Sequence, residues 1–182
     1  MKKFIVSVLA FAAMAFSANA QLYVGGLVGL DLNAPKASTS FSFFLSPEVG
    51  YNFSDKFAAG VALSINPQVT SSEGTSNSSF SWSIQPYARF KFLNIGKVRF
   101  FGDAGIALGT VGYSYKYENT THTNDALFQW RVGFYPGIAY DINKKWSVVT
   151  HLAGISYGGT KNNNAFDLNL LHNVSIGFYY SF

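Results

Sequence analysis

Apolar and polar side chains alternate with a period of two along most of the chain. Residues 80–92, FSWSIQPYARFKF, show the pattern best, with apolar side chains at even positions and mainly polar ones at odd positions. Residues 41–53 and 128–142 repeat this alternation. Because successive side chains of a β-strand point to opposite faces, the pattern predicts strands that separate two different environments. No apolar period of 3.6 residues competes with it over a comparable length.

The same pattern predicts eight strands joined by connections of alternating length. The predicted strands are 22–32, 41–53, 57–66, 80–93, 98–113, 126–142, 146–156 and 166–182. Tight turns follow the second, fourth and sixth strands. Longer polar loops are predicted at 33–40, 67–79, 114–125 and 157–165. Short turns at one end and long loops at the other indicate an all-β fold, an eight-stranded antiparallel up-and-down transmembrane β-barrel.

Two irregularities are expected within these strands. The seventh predicted strand is rich in glycine and alanine, and a bulge near Gly154 would shift its phase. Pro47, Pro86 and Pro136 recur at equivalent positions of three strands. Because proline has no N–H to donate to the ladder, we interpret these positions as bulges or bends.

Charged side chains of the predicted strands all lie opposite the large apolar residues. They are Asp31, Glu48, Arg89, Lys91, Arg99, Asp103, Arg131, Asp141 and Asp167. A cation that faces lipid near the bilayer midplane costs about 2–4 kcal/mol, so a spanning barrel should exclude charge from its outer face. The polar face is otherwise rich in glycine, alanine and serine. Such small residues fit the interior of a narrow barrel better than the outside of a soluble, lipocalin-like one.

Aromatic residues cluster at both ends of the predicted strands. Those near the tight turns are Tyr51, Phe53, Phe57, Phe92, Phe100, Tyr140, Trp146, Tyr180 and Phe182. Those near the long loops are Phe41, Phe80, Trp82, Phe128, Trp130 and Phe166. Two aromatic girdles that flank an apolar band are typical of a protein that spans a bilayer.

The first twenty residues have a different character from the rest of the chain. Lys2 and Lys3 precede the apolar run FIVSVLAFAAMAF, and Ala18-Asn19-Ala20 forms a small-x-small cleavage site. This order predicts a secretory signal peptide at 1–20, which leaves a single barrel domain at 21–182. Removal of two lysines reduces the 13 basic residues to 11 against 9 acidic ones, a net charge of +2. No basic cluster supports nucleic-acid binding.

The last strand ends in VSIGFYYSF, where Phe178, Tyr180 and Phe182 alternate with smaller or polar residues. This ending resembles the signal that the barrel-assembly machinery reads on outer-membrane barrels. With the segments SPEVGYNF and KVRFFGDAGIALG, residues 22–182 resemble the small OmpA/OmpX-like outer-membrane β-barrel family, without a periplasmic domain. The resemblance implies a monomer in the cell outer membrane that contacts the bilayer, lipopolysaccharide and the assembly machinery. It implies no activity.

Few residues suggest chemistry. His122, His151 and His172 do not form a metal-ligand spacing, and the chain has no cysteine, so neither a metal nor a cofactor is predicted. No Ser/His/acid set is evident, so an enzyme with a site at the outer rim of the barrel is the least favoured function, after the two given below.

Five lumen-facing residues are the candidate site. Glu48, Arg89 and Asp103 are expected at similar heights above the turns, with Tyr87 as a polar neighbour and Arg131 as a further member. We expect a buried network that fills the barrel and pairs its charges. The preferred function is therefore a non-enzymatic protein of the envelope that displays surface loops for recognition or adhesion. The alternative is a narrow, porin-like channel for ions or small solutes, lined by the same charges.

Overall fold

A computed structural model describes residues 22–33, 38–72, 75–117, 120–161 and 163–182. The predicted signal peptide lies outside these ranges. The strands are β1 (Leu22–Asn33), β2 (Ser38–Asn52), β3 (Phe57–Ser72), β4 (Thr75–Ile95), β5 (Val98–Tyr117), β6 (Thr120–Thr123), β7 (Leu127–Asp141), β8 (Trp146–Thr160) and β9 (Asn163–Ser181). In the described ranges, no helix is long and apolar enough to cross a membrane.

The strands form one closed antiparallel sheet. Their order is β4-β3-β2-β1-β9-β8-β7-β5-β6, and a further pairing between β4 and β5 closes the ring. Eight long strands make the barrel, as predicted, whereas the four-residue β6 pairs only with the loop-side end of β5. The first and last strands are neighbours, and the Phe182 N–H donates to the Leu22 carbonyl at 3.1 Å.

The predicted separation of the two faces is present in the barrel. On β4, Tyr87 and Arg89 face inward and are 6% and 5% exposed, whereas Phe90 and Phe92 face outward and are 42% and 53% exposed. Near the turns, the lumen is filled by a cluster of buried residues: Tyr23, Ala58, Phe101, Ala139, Val149 and Tyr179. The apolar surface that a soluble protein would bury therefore lies on the outside.

The predicted long loops are largely wrong, because the strands continue into the polar segments. β3 ends at Ser72 and β4 begins at Thr75, so most of the predicted loop 67–79 is a paired hairpin. β5 continues to Tyr117, and β6 lies within the predicted loop 114–125. The backbone pairing of two barrel strands can continue beyond the membrane into water. Polar side chains are favourable there on both faces of the sheet. The apolar alternation ends there although the strand does not.

The predicted phase shift of the seventh barrel strand is confirmed. The register between β8 and β9 shifts between His151 and Ala153, and the register between β7 and β8 shifts between Phe134 and Gly137. The second shift brackets Pro136, but the extra residue is on β8, where the four steps from His151 to Ile155 face three on β7. Pro47 and Pro86 do not lie at register shifts, because the residues before and after each proline are paired in the same register.

The turn between β4 and β5 depends on Gly96, whose φ is +60°. A Cβ at this position would meet no atom within 4 Å, so only backbone strain opposes a larger residue. We expect Gly96→Val to lower the free energy of unfolding by about 1–2 kcal/mol, the cost of the left-handed conformation. Thermal unfolding in detergent measures this loss. The neighbouring exposed variant Lys97→Ala should be close to neutral, and an equal loss in both variants would contradict the explanation.

Candidate functional site

Arg89 lies at the centre of the lumen and holds two acidic residues. Asp103 is its direct cross-strand neighbour on β5. The Arg89 Nε donates to Asp103 Oδ1 and the Nη2 donates to Asp103 Oδ2, each at 2.7 Å. The same Nη2 lies 3.5 Å from Oε1 of Glu48 on β2. The two parallel bonds to Asp103 have the bidentate geometry that makes arginine–carboxylate pairs strong and directional.

Tyrosine hydroxyls connect the remaining polar atoms. The Tyr87 hydroxyl donates to Glu48 Oε1 at 2.8 Å, and the Arg89 Nη2 donates to the Tyr179 hydroxyl at 2.9 Å. The Tyr23 hydroxyl lies 2.7 Å from the Tyr87 hydroxyl. Because the Tyr87 proton is directed to Glu48, Tyr23 is the donor of that bond. Among the described residues, no buried side-chain nitrogen or oxygen lacks a partner.

Four aromatic rings surround the guanidinium of Arg89. Its Cζ lies 4.4 Å from the ring centre of Phe101, 4.9 Å from Tyr179, 5.2 Å from Tyr87 and 5.6 Å from Tyr23. Contacts between a cation and the faces of aromatic rings are favourable, and more so away from water. The rings therefore stabilise a charge that would otherwise be costly to bury.

Each of these rings lies beside a glycine on the neighbouring strand. The directly paired positions are Tyr23–Gly50, Tyr87–Gly60, Phe101–Gly137 and Tyr179–Gly25. A Cβ on any of the four glycines would collide with the paired ring. The inward-facing glycines thus give the rings room to lie flat across the lumen, which explains why the polar face of the strands is rich in glycine.

His151 completes the cluster on its loop-facing side. The Nε2 lies 3.0 Å from Asp103 Oδ2, and the side chain is 17% exposed. Its ring packs edge-on against Phe101 and Tyr135 at centroid distances of 5.6 and 6.2 Å. We call Tyr23, Glu48, Tyr87, Arg89, Phe101, Asp103, His151 and Tyr179 the Arg89 cluster.

The structure brings together four of the five sequence-predicted site residues, namely Glu48, Tyr87, Arg89 and Asp103. Arg131 is not among them. It is exposed, pairs with Gly158 nearer the loops, and has no ion pair within the described residues. It lies four positions from Tyr135, the direct partner of Asp103, and at about 3.3 Å per residue this is roughly 13 Å along the strand.

Sequence reasoning missed His151 and the rings of Tyr23, Phe101 and Tyr179. In the sequence, His151 is evaluated only as a metal ligand and is assigned no partner. The available signal was an inward aromatic residue opposite an inward glycine, which becomes visible only when the pairing register is known. His122 lies in β6 and not in an unpaired loop. The side chain of His172 lies outside the described residues.

A second, more exposed polar group lies nearer the turns. Arg99 Nη2 donates to Asp141 Oδ1 at 2.6 Å and to the Ser147 hydroxyl at 3.0 Å. Ser147 in turn donates to Asp141 at 2.7 Å. The Lys91 ammonium donates to the Asn52 side-chain oxygen at 2.6 Å. Arg99 and Lys91 are therefore also held by partners on other strands.

Above the Arg89 cluster, the lumen widens into a cavity of about 730 Å³. Its floor includes Glu48, Tyr87, Asp103 and His151, and its wall is dense in serine, asparagine and glutamine side chains. Below the floor lies the cluster of buried residues near the turns. The interior is thus filled at the turn end and hollow towards the loop end.

Comparison with known proteins identifies the fold family. The family model "Outer membrane protein beta-barrel domain" matches residues 4–182. The chain belongs to this outer-membrane β-barrel family. The exposed apolar band is accordingly its lipid-facing surface, and the protein is located in the outer membrane. A comparison with curated protein sequences finds no significant match.

Solved structures of small outer-membrane proteins are similar in fold. A major outer membrane protein from Thermus thermophilus is 13% identical, with a TM-score of 0.53 and coverage of 91% of this chain and 100% of that one. The attachment invasion locus protein Ail of Yersinia pestis is 10% identical, with a TM-score of 0.51 and coverage of 90% of this chain and 97% of that one. Neisserial surface protein A is 15% identical, with a TM-score of 0.50 and coverage of 88% of this chain and 97% of that one. At these identities the similarity concerns the barrel fold.

Family membership explains the exposed aromatic residues. At the turn end, Trp146 and Tyr180 have ring centres 5.0 Å apart, as do Tyr180 and Phe182. At the loop end, Phe80 and Phe128 are 53% and 58% exposed on the outer face. These two zones correspond to the aromatic girdles with which outer-membrane barrels meet the two bilayer interfaces.

Proposed function

We propose that this outer-membrane barrel is a non-enzymatic component of the envelope with a closed lumen, which presents its loop-end hairpins for recognition. The Arg89 cluster is the observation that carries the proposal. Six of the eight barrel strands contribute to it, namely β1, β2, β4, β5, β8 and β9. The other two strands, β3 and β7, contribute glycine and alanine beneath its rings. Its hydrogen bonds therefore hold strands together across the lumen.

The same contacts argue for a structural role of the acidic residues and against a catalytic one. Both oxygens of Asp103 are occupied, one by Arg89 and the other by Arg89 and His151. Glu48 accepts from Tyr87 and Arg89. Carboxylates with these partners are stabilised as buried anions that complete a charge network.

Family membership and the exposed surface also favour the predicted partners. Phe178 on β9 and Phe182, directly after its end, are 54% and 49% exposed. We propose that the barrel-assembly machinery reads this C-terminal strand and that the outer apolar band meets lipopolysaccharide in the outer leaflet. We also propose that the protein functions as a monomer.

The alternative function, a narrow channel, makes a different prediction for conductance. We expect purified, folded protein to give no discrete current steps in planar lipid bilayers, because the Arg89 cluster and the residues beneath it fill the turn end. A heat-modifiability gel verifies barrel formation in the same preparation. Reproducible single-channel steps would overturn the closed-lumen proposal.

The variant Arg131→Glu makes this test more specific. Arg131 lines the wide cavity and does not touch the cluster, so the substitution leaves the closure intact. If the lumen conducts, reversal of this charge should change the anion-to-cation selectivity of the steps. With a closed lumen, the variant should be as silent as the parent protein.

A further inference from the structure

Three tyrosines form an exposed stripe on the loop-end part of β5. Tyr113, Tyr115 and Tyr117 occupy alternate positions and are 46%, 42% and 53% exposed. Alternate residues of a strand share one face and lie about 6.8 Å apart. The stripe is therefore a row of three rings along roughly 14 Å of strand.

The stripe faces the barrel axis, so the aromatic girdle does not explain it. Its positions continue the inward-facing series that includes Phe101 and Asp103 on the same strand. Ile106 and Leu108, on the opposite face, are 48% and 47% exposed to lipid. Tyr113 also lines the lumen cavity. Girdle aromatics contact the bilayer interface, whereas these rings face the water-filled mouth.

The neighbours of the stripe are hydroxyl and amide side chains. On β4, Ser79 pairs with Tyr113, Asn77 with Tyr115 and Thr75 with Tyr117. On β6, His122 pairs with Tyr115 and Thr120 with Tyr117. The one charged residue of this part of β5, Lys116, has the opposite phase and so lies on the other face of the sheet. Flat rings bordered by uncharged donors and acceptors match a sugar, whose ring has apolar C–H faces and a rim of hydroxyls.

The cavity below the stripe is also lined by hydroxyl and amide side chains. Its wall includes many serines together with Asn66, Gln85 and Gln129, and its volume of about 730 Å³ is that of a ligand pocket. Among the side chains that the structure describes, Arg131 and Asp167 are the charged ones in its upper part, and they have opposite signs. A neutral polyhydroxyl chain end can exchange hydrogen bonds with this wall and brings no charge that would itself need a partner.

We infer that the tyrosine stripe and the upper cavity bind a neutral oligosaccharide that comes from the external medium. The inward direction of the rings favours this source over lipopolysaccharide of the same membrane, whose sugars surround the outside of the barrel. The inference rests on the recognition role proposed above and names its ligand class.

The test uses the full folded protein in detergent and isothermal titration with maltohexaose, cellohexaose and fully N-acetylated chitohexaose, which are all neutral. A heparin-derived sulfated oligosaccharide is the charged comparison. We expect at least one neutral oligosaccharide to bind, and Tyr115→Ala to weaken its Kd about tenfold through loss of one stacking ring. Tyr115→Phe, which keeps the ring, should retain most of the affinity.

The matched control is Tyr140→Ala, which removes a tyrosine of similar exposure, 48%, from the turn-end girdle. Its affinity should equal that of the parent, and gel mobility shows that each variant is folded. Absence of neutral oligosaccharide binding, binding of the sulfated sugar alone, or equal affinity of Tyr115→Ala would each overturn the inference. Conductance tests the closed lumen separately, because a conducting barrel with an intact stripe would still bind the sugar.

Discussion

Arg89→Ala is expected to lower the free energy of unfolding by about 3–5 kcal/mol, the usual cost of removing one partner of a buried ion pair. The variant leaves Glu48 and Asp103 as two neighbouring carboxylates that are 8% and 4% exposed. It also removes the cation that lies between four aromatic rings. The midpoint of heat-induced unfolding in detergent, followed by gel mobility and circular dichroism, measures the loss.

Arg99→Ala provides a matched control in the same barrel. Arg99 also pairs with an aspartate, Asp141, but the two side chains are 26% and 32% exposed. Pairs that water can reach contribute about 1 kcal/mol or less, so this variant should lose much less stability. If the two variants had equal unfolding midpoints, the stabilising role of the Arg89 cluster would be refuted.

Gly25→Ala is the second substitution with a large expected effect. A Cβ on Gly25 would collide with Tyr179 Cδ1 and with the Phe178 carbonyl oxygen. The carbonyl belongs to the paired backbone of β9 and cannot rotate away, so β1 and β9 must separate or the Tyr179 ring must move. We expect a loss of about 1–3 kcal/mol, the usual cost of overpacking. Displacement of Tyr179 also weakens its hydrogen bond with Arg89. Urea unfolding of the detergent-solubilised protein measures the effect.

Gly29→Ala changes the same residue type on the same strand and face. Its Cβ would lie 3.7 Å from Phe44 Cβ and 3.8 Å from Ser175 Cβ, which are ordinary contact distances. The variant should be as stable as the parent or slightly more stable, since alanine suits a strand better than glycine. Similar losses in both variants would show that the ring–glycine contact is not the cause.

The fold was predictable because a barrel wall separates two media. Residues 80–92 alternate so regularly that both the strand and its phase follow from the sequence, and Arg89 and Phe90 lie on opposite faces as expected. The interruption near Gly154 was also detectable, because the apolar positions there change parity. The structure adds its cause, which is a register shift in the pairing of β8 with each of its neighbours, β7 and β9.

The candidate site was predictable only in part. Phase places a side chain inside the barrel, but height along the axis depends on strand register and tilt. Glu48, Arg89 and Asp103 were expected at one height, and they are in contact in the structure. Arg131 has the correct phase but a different height. His151 lies just before a register shift, so its distance from Asp103 could not be inferred from residue counting.

The sequence by itself determined the strands of the apolar band, their lipid-facing sides and the inward direction of their charges, because each follows from local alternation and the cost of charge in lipid. Only the tertiary structure decided the pairing register, and with it the ring–glycine contacts, the partners of Arg89 and the tyrosine stripe above the cavity. It also decided where the polar hairpins end, since strands in water carry no hydrophobic period. Register depends on where each hairpin turn closes, whereas alternation with a period of two gives the face of a side chain but not the residue with which it is paired.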